Sequence, residues 1–167
     1  MTAPTGTVRA QLELYTTAAN TGVAWADDIA WARLPDGTNL LANPGFEAGL
    51  TGWDTDQTWY GTSLVSVAEG EGRAGSRALR FDGAGSRRIV YHNVEVTPGP
   101  YRLQGWLRCS GLGSVSALLV VTWATPGWSE ISESVAGGVS GTAEWTWIDQ
   151  VVTAPPGAGW GWVNLRT

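Results

Sequence analysis

Residues 39–53 read NLLANPGFEAGLTGW, and this run bears most directly on the fold. Leu40 and Leu41 can open a strand. Asn43-Pro44-Gly45 can turn it, because proline presets φ and glycine is free to take φ > 0. Phe46 and Trp53 stand on either side of a short loop as large apolar plugs. Outward from this run, short segments rich in Val, Thr, Leu and Trp alternate with Gly/Pro punctuation. Strands are predicted over 38–42, 62–68, 77–82, 87–96, 100–109, 114–124, 145–153 and 160–166. Turns are predicted at Gly70–Gly75, Gly83–Gly85, Thr97–Pro100, Gly111–Gly113, Thr125–Gly127, Gly137–Gly141 and Pro155–Gly157. No window sustains apolar spacing at the helical period. The pattern predicts an all-β chain, a two-sheet antiparallel β-sandwich.

At 167 residues the chain is long enough for one domain with a buried core. Its ten basic residues are all arginine, and the net charge is −5. An acidic surface without lysine argues against nucleic acid and against anionic membranes as partners. Cys109 is the single cysteine, so neither an intrachain disulfide nor a cysteine metal cluster can form. It is expected to be a small buried filler. Met1 is followed by TAPTGTVRAQ, which has no apolar core of a signal peptide. No apolar run reaches transmembrane length. A protein of this kind working outside the cell is then expected to be cut from a longer chain or released by another route, such as assembly into a phage particle.

Three stretches carry a resemblance. They are the run at 39–53, VEVTPGPYRLQGWLRCS at 94–110, and GVAWADDIAWARL at 22–34. Together they resemble jelly-roll carbohydrate-binding modules, the β-sandwich domains found on polysaccharide-degrading enzymes and phage minor tail proteins. The resemblance implies a jelly roll, extracellular or on a virion surface, that binds bacterial surface or plant polysaccharide without catalysis. It also implies a structural Ca2+, held by the Glu after the opening Phe and by the Asp of the last strand. Glu47 and Asp27 match these two, with Asp28 adjacent. Calcium takes several oxygen ligands, and carboxylates with free carbonyls can supply them.

The two ends of the chain repeat each other. Residues 2–16 read TAPTGTVRAQLELYT and residues 153–167 read TAPPGAGWGWVNLRT. They align without gaps and share Thr-Ala-Pro, Gly6 with Gly157, Leu14 with Leu165, and a final Thr. This looks like one strand met twice. In the resembled modules such a strand precedes the last strand, but here the last-strand segment 22–34 lies near the N-terminus. The expectation is a permuted single domain over 1–167, with a closing hairpin at 7–34 and the body at 39–167. The hairpin either closes its own body or completes a neighbouring copy.

Strand alternation sorts the candidate site residues. Tyr101, Leu103, Leu107 and Cys109 share one face of 100–109 and are assigned to the core. Arg102, Gln104, Trp106 and Arg108 share the other. A tryptophan flanked by Arg and Gln suits a sugar, whose C–H face stacks on indole while its hydroxyls bond the polar neighbours. In the repeat, Val163 and Leu165 match the inward Leu12 and Leu14, while Trp160, Trp162 and Asn164 match Arg9, Gln11 and Glu13. Two tryptophans thus stand where the other copy is polar, which marks a ligand surface or a protein contact. The expected carbohydrate-binding set is Trp106, Trp160, Trp162, Arg102, Gln104 and Asn164. Trp53 is read as structural, and Trp25 and Trp31 as core. Trp145 and Trp147 cannot be separated from core by pattern. Trp59, Tyr60 and Trp128 lie in or beside loops where they could line a groove.

Catalysis has little support. His92 is the only histidine, and no nucleophile elbow, metal-binding His pair or P-loop is present. Asp54 and Asp56 lie two residues apart in one loop, which does not place them across a scissile bond. The chain is expected to be a non-catalytic carbohydrate-binding domain. The alternative is a phage structural protein, a tail or capsid accessory or decoration subunit. It would use the same sandwich to contact its own copies or other virion proteins.

Overall fold

The computed structural model describes residues 14–15, 21–55, 65–73, 76–83, 90–113 and 116–166, with the backbone alone at 14, 15, 55, 162 and 164–166. Twelve strands are described: β1 (Leu14–Tyr15), β2 (Val23–Arg33), β3 (Asp54–Thr55), β4 (Val65–Glu69), β5 (Arg77–Asp82) and β6 (Val90–Tyr91), then β7 (Asn93–Val94), β8 (Gly99–Ser110), β9 (Ser116–Ala124), β10 (Glu130–Ser140), β11 (Ala143–Ala154) and β12 (Trp160–Arg166). Two sheets face each other. The first runs β1-β12-β9-β10 with β7 also on β12, and the second runs β11-β8-β2-β5-β4. All pairs in them are antiparallel except β1 with β12, and β3 with β6 forms a separate small ribbon. The all-β two-sheet sandwich read from the sequence is the fold observed, and it is compatible with a jelly roll.

The core lies between the sheets. Trp31 of β2 is fully buried, with ring centroids 5.2 Å from Tyr101 and 5.8 Å from Trp123. The Tyr101 hydroxyl donates to the Thr97 carbonyl and accepts from its N–H, so the ring end is satisfied while the body is packed. Alternation in β8 is as expected, with Tyr101, Leu103, Leu107 and Cys109 inward. Gly105 also faces inward, and a Cβ there would come within 2.4 Å of Ile29 Cδ1. Glycine there leaves the buried Ile29 side chain room to pack against β8.

The run at 39–53 forms no strand. It meets β2 through one bridge, Asn39 to Ala32, and β5 through Arg77, which donates to the Glu47 carboxylate and carbonyl, and otherwise caps β2. Leu40 N–H donates to the Trp31 carbonyl and Ile29 N–H to the Pro44 carbonyl. At the expected turn the left-handed positions are Asn43 and Phe46 and not Gly45, while Gly49 and Gly52 take φ > 0 further along the run. Asn43 holds the loop by donating to the Gly49 carbonyl and accepting from Ala48 N–H, while Trp53 Nε1 donates to the Asn43 carbonyl. Phe46 and Trp53 are buried 4.8 Å apart, which offsets the strained backbone of Phe46. Gly45 serves a different end, since its missing side chain leaves room beside the Asp28 carboxylate.

Of the segment 7–34, expected as a closing hairpin, the described parts are β1 and residues 21–34 with β2. β1 and β2 are not paired with each other: β1 lies at the end of the first sheet, and β2 lies in the middle of the second, between β5 and β8. Their register nevertheless echoes the repeat, because Leu14 sits opposite Leu165, its partner in the alignment. The remainder of 7–20, with Arg9, Gln11, Leu12 and Glu13, lies outside the described residues, as do Trp59 and Tyr60.

Candidate functional site

The outer face of the second sheet carries most of the tryptophan and arginine that stays at the surface. A first row crosses four strands: Trp145 of β11, Arg108 of β8, Trp25 of β2 and Arg80 of β5. The Arg108 guanidinium lies 4.1 Å from the Trp25 ring and 5.0 Å from the Trp145 ring, and Arg80 lies 5.6 Å from Trp25. Trp25 and Arg108 are direct cross-strand neighbours, as are Trp25 and Arg80. Such stacking is favourable because the indole face is electron-rich. A hollow of about 380 Å³ opens beside this row, lined by Trp25, Glu71, Arg108, Ser110, Thr142 and Glu144, among others.

A second row lies one step along. Trp147 of β11 pairs with Trp106 of β8, their rings 5.1 Å apart, and Trp106 pairs in turn with Asp27 of β2. Beyond it the face opens into a shelf. Gln104 and Arg102 stand on β8, Asp149 and Val151 on β11, and the small Ala30 and Ala32 on β2 lie opposite Gln104 and Arg102. Arg102 grips Asp149 with two bonds of 2.8 and 2.6 Å, which holds that carboxyl below its ordinary pKa. Trp147 is 42% exposed at the edge of the shelf.

Trp106, Arg102 and Gln104 therefore stand on an outer face, as strand alternation requires. Trp25 differs from expectation. The sequence reads it, like Trp31, as core or inter-sheet because the two alternate with Val23 and Ile29. A β-bulge between Asp27 and Ala30, with Asp28 at φ 49°, inserts one residue and reverses the alternation. Trp31 points inward and Trp25 outward.

Trp160 is a second correction. Gly161 and Val163 occupy the inward positions of β12, so Trp160 does point to the outer side, yet it is only 8% exposed. The turn at Thr125–Ser129 folds over it. Trp128, at φ 68°, stacks on it at 3.8 Å with planes 17° apart, and Trp160 Nε1 donates to the Pro126 carbonyl. Gly159 allows this closure, because a Cβ there would meet the Pro126 nitrogen at 1.7 Å. Trp160 presents no open ring, and Trp128 is the exposed member of the pair. The side chains of Trp162 and Asn164 lie outside the described residues.

Asp27, Asp28 and Glu47, the carboxylates expected around a metal, lie near enough for their charges to interact. Asp27 is 1% exposed, and burial raises its pKa, with the charges of Asp28 and Glu47 adding to the rise. Its two oxygens accept the N–H groups of Asp28 and Arg73 at 2.8 and 2.9 Å. Glu47 accepts Arg77 N–H at 3.2 Å, and its bonds from Ser76 and Arg77 hold its pKa down. A desolvated carboxylate with acidic neighbours suits a cation. Among the described residues no three acid, His or Cys side chains converge as a ligand cluster, so backbone carbonyls would complete the oxygen set.

His92 has a structural place. Its Nε2 accepts Ala42 N–H at 3.0 Å, the ring meets Trp53 edge-on, and burial lowers its pKa. It supports the cap formed by 39–53. Comparison with known protein families, with curated proteins and with solved structures finds no match.

Proposed function

We propose that this protein is a non-catalytic carbohydrate-binding domain that holds a polysaccharide, bacterial or plant, on the outer face of its second sheet. The observation that carries the reading is the Trp147–Trp106 pair beside Gln104 and the Arg102–Asp149 clamp. An exposed indole gives a sugar ring a flat apolar partner, and fixed polar groups beside it bond the hydroxyls. The clamp also holds its own donors and acceptors rigid before the ligand arrives, which lowers the ordering cost of binding. In affinity electrophoresis through gels carrying bacterial cell-wall polymers or plant polysaccharides, at least one polymer should retard the protein. Unchanged mobility in all of them would overturn the reading.

Calcium belongs to the same proposal as a structural ion. Asp27 and Glu47 would hold it, with Asp28 beside them, and its charge would tie β2 to the cap at 39–53. Because the Asp27 pKa is raised on folding, its contribution to stability without a cation is fully present below the ordinary carboxyl pKa. That contribution is lost as pH rises through the raised value. A bound cation offsets that loss. Excess calcium is therefore expected to raise Tm at neutral pH and chelator to lower it, with the gap closing in acid as the carboxyls protonate. Identical melting curves in calcium and in chelator at neutral pH would remove the ion.

A second reading is favoured by one flank. Ile131 and Val135 of the edge strand β10 are 39% and 55% exposed, near the exposed Trp128. Apolar side chains on a free sheet edge suit contact with another subunit, as in a virion tail or capsid accessory protein. A monomer in sedimentation velocity at high concentration would count against contact between like copies.

A further inference from the structure

The outer face of the second sheet is not charge-neutral in what it offers. Four arginines reach it: Arg73, Arg80, Arg102 and Arg108. Three are spent on acids of the protein. Arg80 is paired with Asp82 at 2.8 Å and Glu71 at 3.0 Å, Arg102 with Asp149, and Arg108 with Glu71 at 3.7 Å. Arg73 differs. Its guanidinium lies 3.8 Å from the Trp106 ring, and among the described residues no carboxylate comes within ion-pair distance of it. Its position is fixed from behind, because its backbone N–H is bonded to the buried Asp27, itself the cross-strand neighbour of Trp106. Glu71, two residues away in the same loop, is engaged by Trp25 Nε1 and Arg80.

Stacking uses the flat face of a guanidinium and leaves its rim of N–H donors free. Arg73 therefore presents an oriented donor edge next to Trp106 and Trp147, with no acid of the described residues paired to it. That edge matches a planar carboxylate or a sulfate on a sugar ring seated against the indoles. The hollow along the first row is different, since Glu71 and Glu144 line it with Arg108, and it suits hydroxyl donors. We propose that Arg73 selects for an acidic glycan, its guanidinium bonding the carboxylate or sulfate of a residue stacked at Trp106 and Trp147. This rests on the reading of the face as a carbohydrate-binding surface.

The test compares matched polymers in affinity electrophoresis: polygalacturonate with its methyl ester, and dextran sulfate with dextran. Retardation by an acidic member, weakening with added salt, is expected, and the member that binds tells carboxylate from sulfate. Arg73→Gln should reduce that affinity about tenfold or more and leave Tm unchanged, because the Asp27 bond is to the backbone. Arg73→Lys should restore only part of it, having charge without the planar fork. Equal binding of both members of each pair, or wild-type acidic binding by Arg73→Gln, overturns the role of Arg73 and leaves the sugar-binding reading standing. Binding to no polymer removes both.

Discussion

A chain beginning at Pro35 is expected to be recovered insoluble or unfolded. β2 is not a terminal appendage but the middle strand of the second sheet, hydrogen-bonded to β8 on one side and β5 on the other. Its loss would leave two strand edges open in the interior of a sheet. It would also remove Ala24, Ala26, Ile29 and Trp31, all buried in the core. Trp31 alone packs on Tyr101 and Trp123, and a Trp→Ala change in such a site costs roughly 3–5 kcal/mol. That is a large share of the stability of an ordinary domain, about 5–15 kcal/mol. The 39–53 cap would lose its bonds to Trp31 and Ile29 as well. The check is circular dichroism and a denaturant melt of the 35–167 fragment. A soluble fragment with one cooperative transition would show that another segment can fill the β2 slot. When the fragment is unfolded, as expected, adding a peptide of residues 21–34 should recover the fold, as a missing strand returned to its place.

Trp147→Ala should weaken polysaccharide binding by about 1–3 kcal/mol, roughly 5- to 150-fold, as loss of a stacking hot spot does. Stability should change little, since the side chain is largely in water and its one described ring contact is with Trp106. The matching control is Trp128→Ala, which uncovers Trp160 on the other sheet and should leave sugar affinity unaltered. If the two variants bound equally well, or if Trp128→Ala alone lost affinity, the outer face of the second sheet would not be the binding surface. Isothermal titration with the polymer found by electrophoresis gives the comparison directly, and Tm measured on the same samples separates lost contact from lost fold.

Several features were legible in the sequence because they depend on near neighbours along the chain. Alternation put Tyr101, Leu103, Leu107 and Cys109 inside and Arg102, Gln104 and Trp106 outside, since side chains on a strand change face at every residue. Gly and Pro punctuation separated the strands well enough to give the sandwich. β10 escaped, because Gly137 and Gly138 within Glu130–Ser140 read as a turn. In the fold those glycines sit where larger side chains would strike Ile148 and Leu118. The strand expected at 87–96 is broken into β6 and β7 around His92, whose bond to Ala42 joins residues fifty positions apart.

The site depended on facts that are not local. Whether Trp25 is core or surface turns on one extra residue in the bulge of β2, and a bulge has no composition of its own here. Whether Trp160 is open turns on a loop 35 residues earlier that happens to fold across it. Trp147 finds Trp106, and Arg73 finds Trp106 and Asp27, only because β11, β8 and β2 are neighbours in the sheet. By itself the sequence determined that this chain makes strands, which side chains of β8 face out, and that Glu47 and Asp27 deserve to be considered together. Only the tertiary structure decided which tryptophans share a surface and which arginine on it stands without an acid among the described residues, because cross-strand neighbours are set by the order of strands in a sheet and not by their order in the chain.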